Sequence, residues 1–168
     1  MTTLFVLGGA RSGKSRYAQG RVEALPGKLA FIATAEAADA EMAERIARHR
    51  ADRGPRWMAQ EAPLDLADAI ERVQQEADAI LVDCLTLWLS NLMHFEHDID
   101  TATTRLETAL RDCRVPVTLV ANEVGQGIVP MNALARRFRD HAGWLNQRMA
   151  ATCEHVVLVT AGLPLALK

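Results

Sequence analysis

Gly8-Gly9-Ala10-Arg11-Ser12-Gly13-Lys14-Ser15 decides how this chain is read. The eight residues satisfy G-x-x-x-x-G-K-[ST], directly after the apolar run Leu4 to Leu7 and at the start of a stretch of helical character that reaches about Leu25. Gly8, Gly9 and Gly13 let the backbone curl until successive N–H groups point inward, and a helix beginning there adds its partial positive charge. Such a cradle suits phosphate. Lys14 is placed to reach the β and γ phosphates of a triphosphate, and Ser15 to offer a hydroxyl to Mg2+. A glycine-rich strand-to-helix turn is the plainer alternative, and the agreement of strand, spacing and helix argues against it.

Working outward from this loop, short apolar runs recur at Leu4 to Leu7, Leu29 to Thr34, Ala79 to Val82, Val117 to Ala121 and Val156 to Thr160, separated by segments of helical period. Strands that read as unbroken apolar runs are buried on both faces. The expectation is therefore an α/β, P-loop NTPase-like domain with a mostly parallel central sheet between helices. The helices announce themselves by one apolar stripe each: Leu66, Ile70 and Val73; Leu106, Leu110 and Cys113; and Leu134, Phe138, Leu145 and Met149. Gly162 to Lys168 reads as a short antiparallel edge strand, a place where Pro164 is tolerated.

With 168 residues, 49% of them hydrophobic, the chain fits one core, and residues 1–168 read as a single domain. A net charge of -2 gives no general attraction to nucleic acid or anionic lipid, so the arginine clusters at Arg45 to Arg56 and Arg136 to Arg139 need local explanations. Cys84, Cys113 and Cys153 are an odd number at wide spacings, which speaks against a disulfide framework or zinc site. The first residues lack a basic leader, and the best apolar run, Ala79 to Leu89, is interrupted by Asp83. A cytoplasmic protein without a membrane span is expected.

A triphosphate loop calls for a second acid at the end of a buried strand, and Ala79-Ile80-Leu81-Val82-Asp83 offers one. Asp83 either helps hold Mg2+ at the carboxyl end of the sheet or caps a helix starting at Leu85. Between Asp39 and Arg53 the spacing predicts a helix whose inward stripe takes Met42, Ile46 and His49, with Arg45, Arg48, Arg50 and Arg53 around the histidine. Neighbouring cations keep an imidazole neutral and nucleophilic and attract phosphate oxygens. On spacing alone, His49 is either such a nucleophile or a packed structural residue. His94, His97, His141 and His155 have no pattern that demands metal or catalysis. The glycines of Asn122 to Pro130, after a strand's carboxyl end, suit a loop near the site or merely a tight turn.

Taken together, the opening loop, Phe31-Ile-Ala-Thr34, His49-Arg50-Ala-Asp-Arg53 with Trp57 and Glu61, Asn122-Glu-Val-Gly-Gln-Gly-Ile-Val-Pro130, and Arg137-Phe-Arg-Asp140 with Gly143 and Asn146-Gln147 resemble one family over nearly the whole chain. It is the bifunctional adenosylcobinamide kinase and adenosylcobinamide-phosphate guanylyltransferase family of cobalamin biosynthesis. The resemblance implies phosphorylation of a hydroxyl of adenosylcobinamide with ATP or GTP, then transfer of GMP from GTP to the new phosphate. It implies His49 as the residue that carries GMP. Nucleotide contacts are implied at Gly8 to Ser15, at Thr34, Ala35 and Glu36, at Arg50, Ala51, Asp52 and Arg53, and at Glu61 and Asp83. Mg2+ would lie on Ser15 and Asp83, and the family's trimeric assembly is also implied, with Trp88 and Leu92 as interface candidates, Trp88 equally a core residue.

Two other readings stand beside this one: a single-activity kinase of another small metabolite, with His49 structural, and a nucleotide-dependent regulatory module. Against the second, the sequence has no Asn-Lys-x-Asp tetrad for reading guanine.

Overall fold

Six unbroken apolar or half-apolar runs form the parallel part of one sheet, and a short antiparallel strand closes it. The computed structural model describes residues 2–35 and 54–168. Within them, β1 (Thr3–Gly8), β2 (Leu29–Ala33), β3 (Trp57–Glu61), β4 (Ala79–Asp83), β5 (Val117–Asn122), β6 (His155–Thr160) and β7 (Leu163–Ala166) lie in the order β3-β2-β4-β5-β1-β6-β7. All neighbours are parallel except β6 and β7. The described helices are α1 (Lys14–Glu23), α2 (Leu66–Val73), α3 (Leu85–His94), α4 (Ile99–Asp112) and α5 (Ala133–Thr152).

The two-residue period of each strand sends its side chains into two separate cores. Phe5, Leu7, Leu119 and Ala121 face a large core shared with Ile70, Trp88, Leu106 and Leu145, so α2, α3, α4 and α5 pack on that side. Leu4, Val6, Leu81 and Val120 face the other, where α1 contributes Ala18 and Val22. α1 follows the loop Gly8 to Gly13 without a break, so the sheet face beneath it is the face the phosphate loop overlooks.

The expected strands are present, as is the antiparallel edge, where Pro164 sits in β7. β3 was not foreseen. Its residues Trp57-Met-Ala-Gln-Glu are only half-buried at the opposite edge, so no apolar run marks it. Two expectations about side chains are corrected. Trp88 and Leu92 are each 1% exposed and belong to the core, leaving no interface role for them; the Trp88 indole donates to the Leu64 carbonyl at 2.8 Å. Leu134, placed on the buried stripe of α5, is 62% exposed, in a first turn where Ala133, Arg136 and Arg137 are exposed as well and burial begins only at Ala142. Asp83 ends β4 and Cys84 takes the N-cap of α3, so the helix-cap alternative for Asp83 falls away.

Two of the arginines have structural tasks. Arg56 donates to the carbonyls of Glu23 (2.9 Å) and Leu25 (3.1 Å), where α1 ends and acceptors go unmet. Arg136 donates to Pro130 and Met131 and ties down the loop ahead of α5. Among the described residues no helix is long and apolar enough to cross a membrane.

Candidate active site

The phosphate loop is built from close contacts that only small residues allow. Gly13, at the N-cap of α1, has φ +94°, and Arg11 has φ +54°. This left-handed backbone turns the loop over the helix end. The Ser12 N–H donates to the Gly9 carbonyl at 3.3 Å, and the Gly162 N–H to the Ser12 carbonyl at 2.8 Å, so the β6–β7 turn pins the loop from outside. Lys14 Nζ donates to the Gly9 carbonyl at 3.2 Å, arching back over the cradle. Ser12 is only 9% exposed, yet its Oγ has no hydrogen-bond partner in the protein. An unmet buried hydroxyl costs stability unless a ligand completes it.

Strand register determines which side chains share the loop's face. Gly8 pairs with Asn122, Asp83 with Val120 and Ala33, and Ala33 with Glu61. Val120 and Ala33 belong to the α1-side core, and directly paired residues point to the same face of a sheet. Glu61, Asp83 and Asn122 therefore point to the face that carries α1 and the phosphate loop. Because β5 lies between β1 and β4 and Asp83 pairs with Val120, Asp83 is two strand spacings, about 10 Å, from Val6 and sits two residues below the level of Gly8.

The carboxyl end of β4 is held firmly. Buried Thr34 donates its hydroxyl to the Cys84 carbonyl (2.7 Å) and accepts from the Cys84 N–H (2.9 Å). Asn91 Nδ2 donates to the carbonyls of Thr34 (2.8 Å) and Pro63 (3.0 Å). Burial, reinforced by the adjacent Asp83 charge, pushes the Cys84 thiol above its ordinary value, so it remains protonated. β5 ends as tightly: the Asn122 N–H donates to Thr86 Oγ1 at 2.7 Å, Asn146 Nδ2 donates to the Asn122 carbonyl at 3.4 Å, and the Glu123 N–H to the Gly8 carbonyl at 3.1 Å.

Of the residues singled out in the sequence, Gly8, Gly9, Ala10, Arg11, Ser12, Gly13, Lys14 and Ser15 form the loop and the first turn of α1. Thr34 and Ala35 follow β2, Glu61 ends β3 and Asp83 ends β4, all at the carboxyl rim. Glu36, His49, Arg50, Ala51, Asp52 and Arg53 lie outside the described residues. Ser15 and Asp83 supply only oxygen donors, the kind that suits Mg2+. Among the described residues no three His, Cys, Asp or Glu side chains gather as a metal cluster. A cation on these two side chains fits a site that the nucleotide's own oxygens and water complete. The sequence places Asn122 only at the head of the loop Asn122 to Pro130, without a role of its own; the strand order brings its side chain to the face of the phosphate loop.

Residues 4–167 match the family described as cobinamide kinase / cobinamide phosphate guanyltransferase. This chain belongs to that family. It is 46% identical to the bifunctional adenosylcobalamin biosynthesis protein CobP of Pseudomonas aeruginosa, over 97% of this chain and 95% of that protein. It is 39% identical to the bifunctional adenosylcobalamin biosynthesis protein CobU of Salmonella typhimurium, over 98% of this chain and 99% of that protein. The cobinamide kinase / guanyltransferase chain also resembles in fold a KaiC-like protein of Pyrococcus horikoshii, with a TM-score of 0.56 at 14% identity over 94% of this chain and 70% of that one.

Proposed function

We propose that this chain performs two successive transfers at one nucleotide site. In the first, the hydroxyl oxygen of the aminopropanol arm of adenosylcobinamide forms a bond to the γ-phosphorus of ATP or GTP, and the nucleoside diphosphate leaves. In the second, a His49 ring nitrogen bonds to the α-phosphorus of GTP and pyrophosphate leaves. An oxygen of adenosylcobinamide phosphate then displaces His49 from that phosphorus, giving adenosylcobinamide-GDP. Each half-reaction inverts at the α-phosphorus, so the pair retains configuration there.

The observation that carries this reading is the loop Gly8 to Ser15 over the sheet face to which Asp83 points. Phosphoryl transfer asks for little covalent chemistry from the protein. It needs the reacting groups aligned and the charge on the phosphoryl oxygens neutralised. The inward amides and Lys14 supply both. Ser15 and Asp83 would hold Mg2+, which would supply further neutralisation of phosphate charge there. Thr34, Ala35, Glu36, Arg50, Ala51, Asp52, Arg53 and Glu61 are taken as further nucleotide contacts. The family membership favours two activities over a single-activity kinase.

We also take the enzyme to work in the cytoplasm, where ATP and GTP are made available, as a homotrimer. Ile128 and Met131, each 98% exposed, give apolar surface for assembly. Light scattering that returns the mass of one chain would reject the trimer. The two-step reading is tested by incubating the protein with GTP labelled at the α-phosphate. Label should stay on the protein through an acid-labile bond and vanish in His49→Ala, which should keep its kinase turnover. Labelling that persists in the variant rules out His49 as the carrier.

A further inference from the structure

We propose that Asn122 is a further catalytic residue of the phosphorylation step, its carboxamide spanning the γ-phosphoryl group and the acceptor hydroxyl. The inference rests on the two-step reading above. Asn122 ends β5, the strand inserted between the phosphate-loop strand β1 and the Asp83 strand β4. Its register with Gly8 puts its side chain on the loop's face of the sheet. It lies about one strand spacing, roughly 5 Å, from Gly8 on β1 and beyond the last paired residue of β4. Asp83 pairs with Val120, so Asn122 stands two residues further toward the carboxyl rim than Asp83 does.

Its Oδ1 is buried and has no hydrogen-bond partner in the protein. The backbone of the same residue is fully engaged, with the N–H on Thr86 and the carbonyl bonded by Asn146. The backbone is thus held in place while the amide oxygen is left unsatisfied, the arrangement expected of a group that a ligand completes.

The amide's chemistry says what that ligand must offer. A carboxamide presents one donor end and one acceptor end, whichever way it is turned. An ionised triphosphate offers acceptors only, so it can satisfy the NH2 end and not the oxygen. The oxygen requires a hydroxyl or a water. In the kinase step, a group with that property must lie in line with the γ-phosphorus: the alcohol being phosphorylated. Asn122 would hold the alcohol and the phosphoryl group in one plane of approach. It accepts a hydrogen bond without taking the proton, which is lost late, to the transferred phosphoryl group, as the acceptor oxygen bonds to phosphorus and the β–γ bridging bond breaks. Self-guanylylation of His49 uses no alcohol and should depend on Asn122 much less.

The test uses the full-length protein with Asn122→Ala and the near-isosteric Asn122→Asp. Four quantities are read: kcat and KM for phosphorylation of adenosylcobinamide, the rate of His49 labelling from GTP, and the melting temperature without nucleotide. Both variants should lose at least tenfold in kinase kcat, Asn122→Asp more because its carboxylate faces phosphate. Labelling should fall at least fivefold less than phosphorylation. Asn122→Ala should melt no lower than the parent, since an unmet buried acceptor adds nothing to the free protein. A kinase loss below tenfold, labelling that falls in step with phosphorylation, or a lowered melting temperature in Asn122→Ala overturns the assignment. If the parent protein neither phosphorylates adenosylcobinamide nor takes up label, the two-step reading itself fails, and the role of Asn122 fails with it.

Discussion

A Cβ atom on Gly8 would stand 2.6 Å from the carbonyl oxygen of Val159, a backbone atom of the neighbouring strand. The same added atom would collide with the Ser12 hydroxyl inside the phosphate loop. Gly8→Ala must therefore push β1 from β6 or displace Ser12. We expect a loss of about 1–3 kcal/mol, as for overpacked cores, and nucleotide affinity weakened at least tenfold. Thermal melting and calorimetric titration with GTP read the two effects separately. Unchanged affinity would mean that the loop does not grip phosphate as described.

Thr34→Val keeps the shape of the side chain and removes the hydroxyl that both donates to and accepts from Cys84. The buried Cys84 N–H then has no partner at that position, at a cost of about 2 kcal/mol. For a domain of this size that corresponds to a melting-temperature drop on the order of 4–8 °C. Asp83 immediately precedes Cys84, so the Mg2+ concentration for half-maximal kinase rate should rise. A variant with parental melting and parental Mg2+ dependence would remove Thr34 from any role in positioning Asp83.

Arg148 on α5 makes a bidentate pair with Glu107 on α4 (Nε to Oε1 2.7 Å, Nη2 to Oε2 2.9 Å) and also reaches Asp100 at 2.7 Å. The hydrogen bonds from Arg148, with its charge, hold the Glu107 carboxyl below the ordinary carboxylate range. A depressed folded-state value means that the pair's contribution is complete above the unfolded value, near pH 4.3, and is lost as pH falls through the lower folded value. Arg148→Ala should cost about 2–3 kcal/mol at pH 7. The difference from the parent should be constant between pH 7 and 5 and shrink only in stronger acid, as followed by urea titration. A difference that disappears already at pH 6 would contradict it.

All three thiols are buried, and burial pushes each upward, Cys153 to about 11. A thiol that stays protonated is a poor nucleophile. At pH 8 the folded protein should react with an aromatic disulfide reagent at none of the three, whereas all three should react in guanidinium. Rapid labelling of native protein would show that the core around them opens readily.

The fold was legible where burial writes itself into composition. β1, β4 and β5 carry mainly apolar runs because both faces are covered, and the eight-residue loop fixes the junction of β1 with α1. β3 escaped notice because an edge strand needs no such run, and Leu134 misled because a helical stripe does not say which turns of the helix are covered. The site was half legible. Local spacing suffices to propose Lys14, Ser15 and Asp83, but the placement of the Asn122 side chain beside the loop depends on β5 lying between β1 and β4, a pairing of strands distant in the chain that no local pattern records.

Pro164 has a consequence at the far margin of the molecule. The Leu167 N–H turns inward to Val156, so by alternation Pro164 and Ala166 present their backbones outward along β7. Proline contributes no N–H, which leaves Ala166 as the sole outward donor within that strand. A stray polypeptide trying to extend the sheet there meets a broken ladder, so the three leucines beside it can stay in water without seeding fibres.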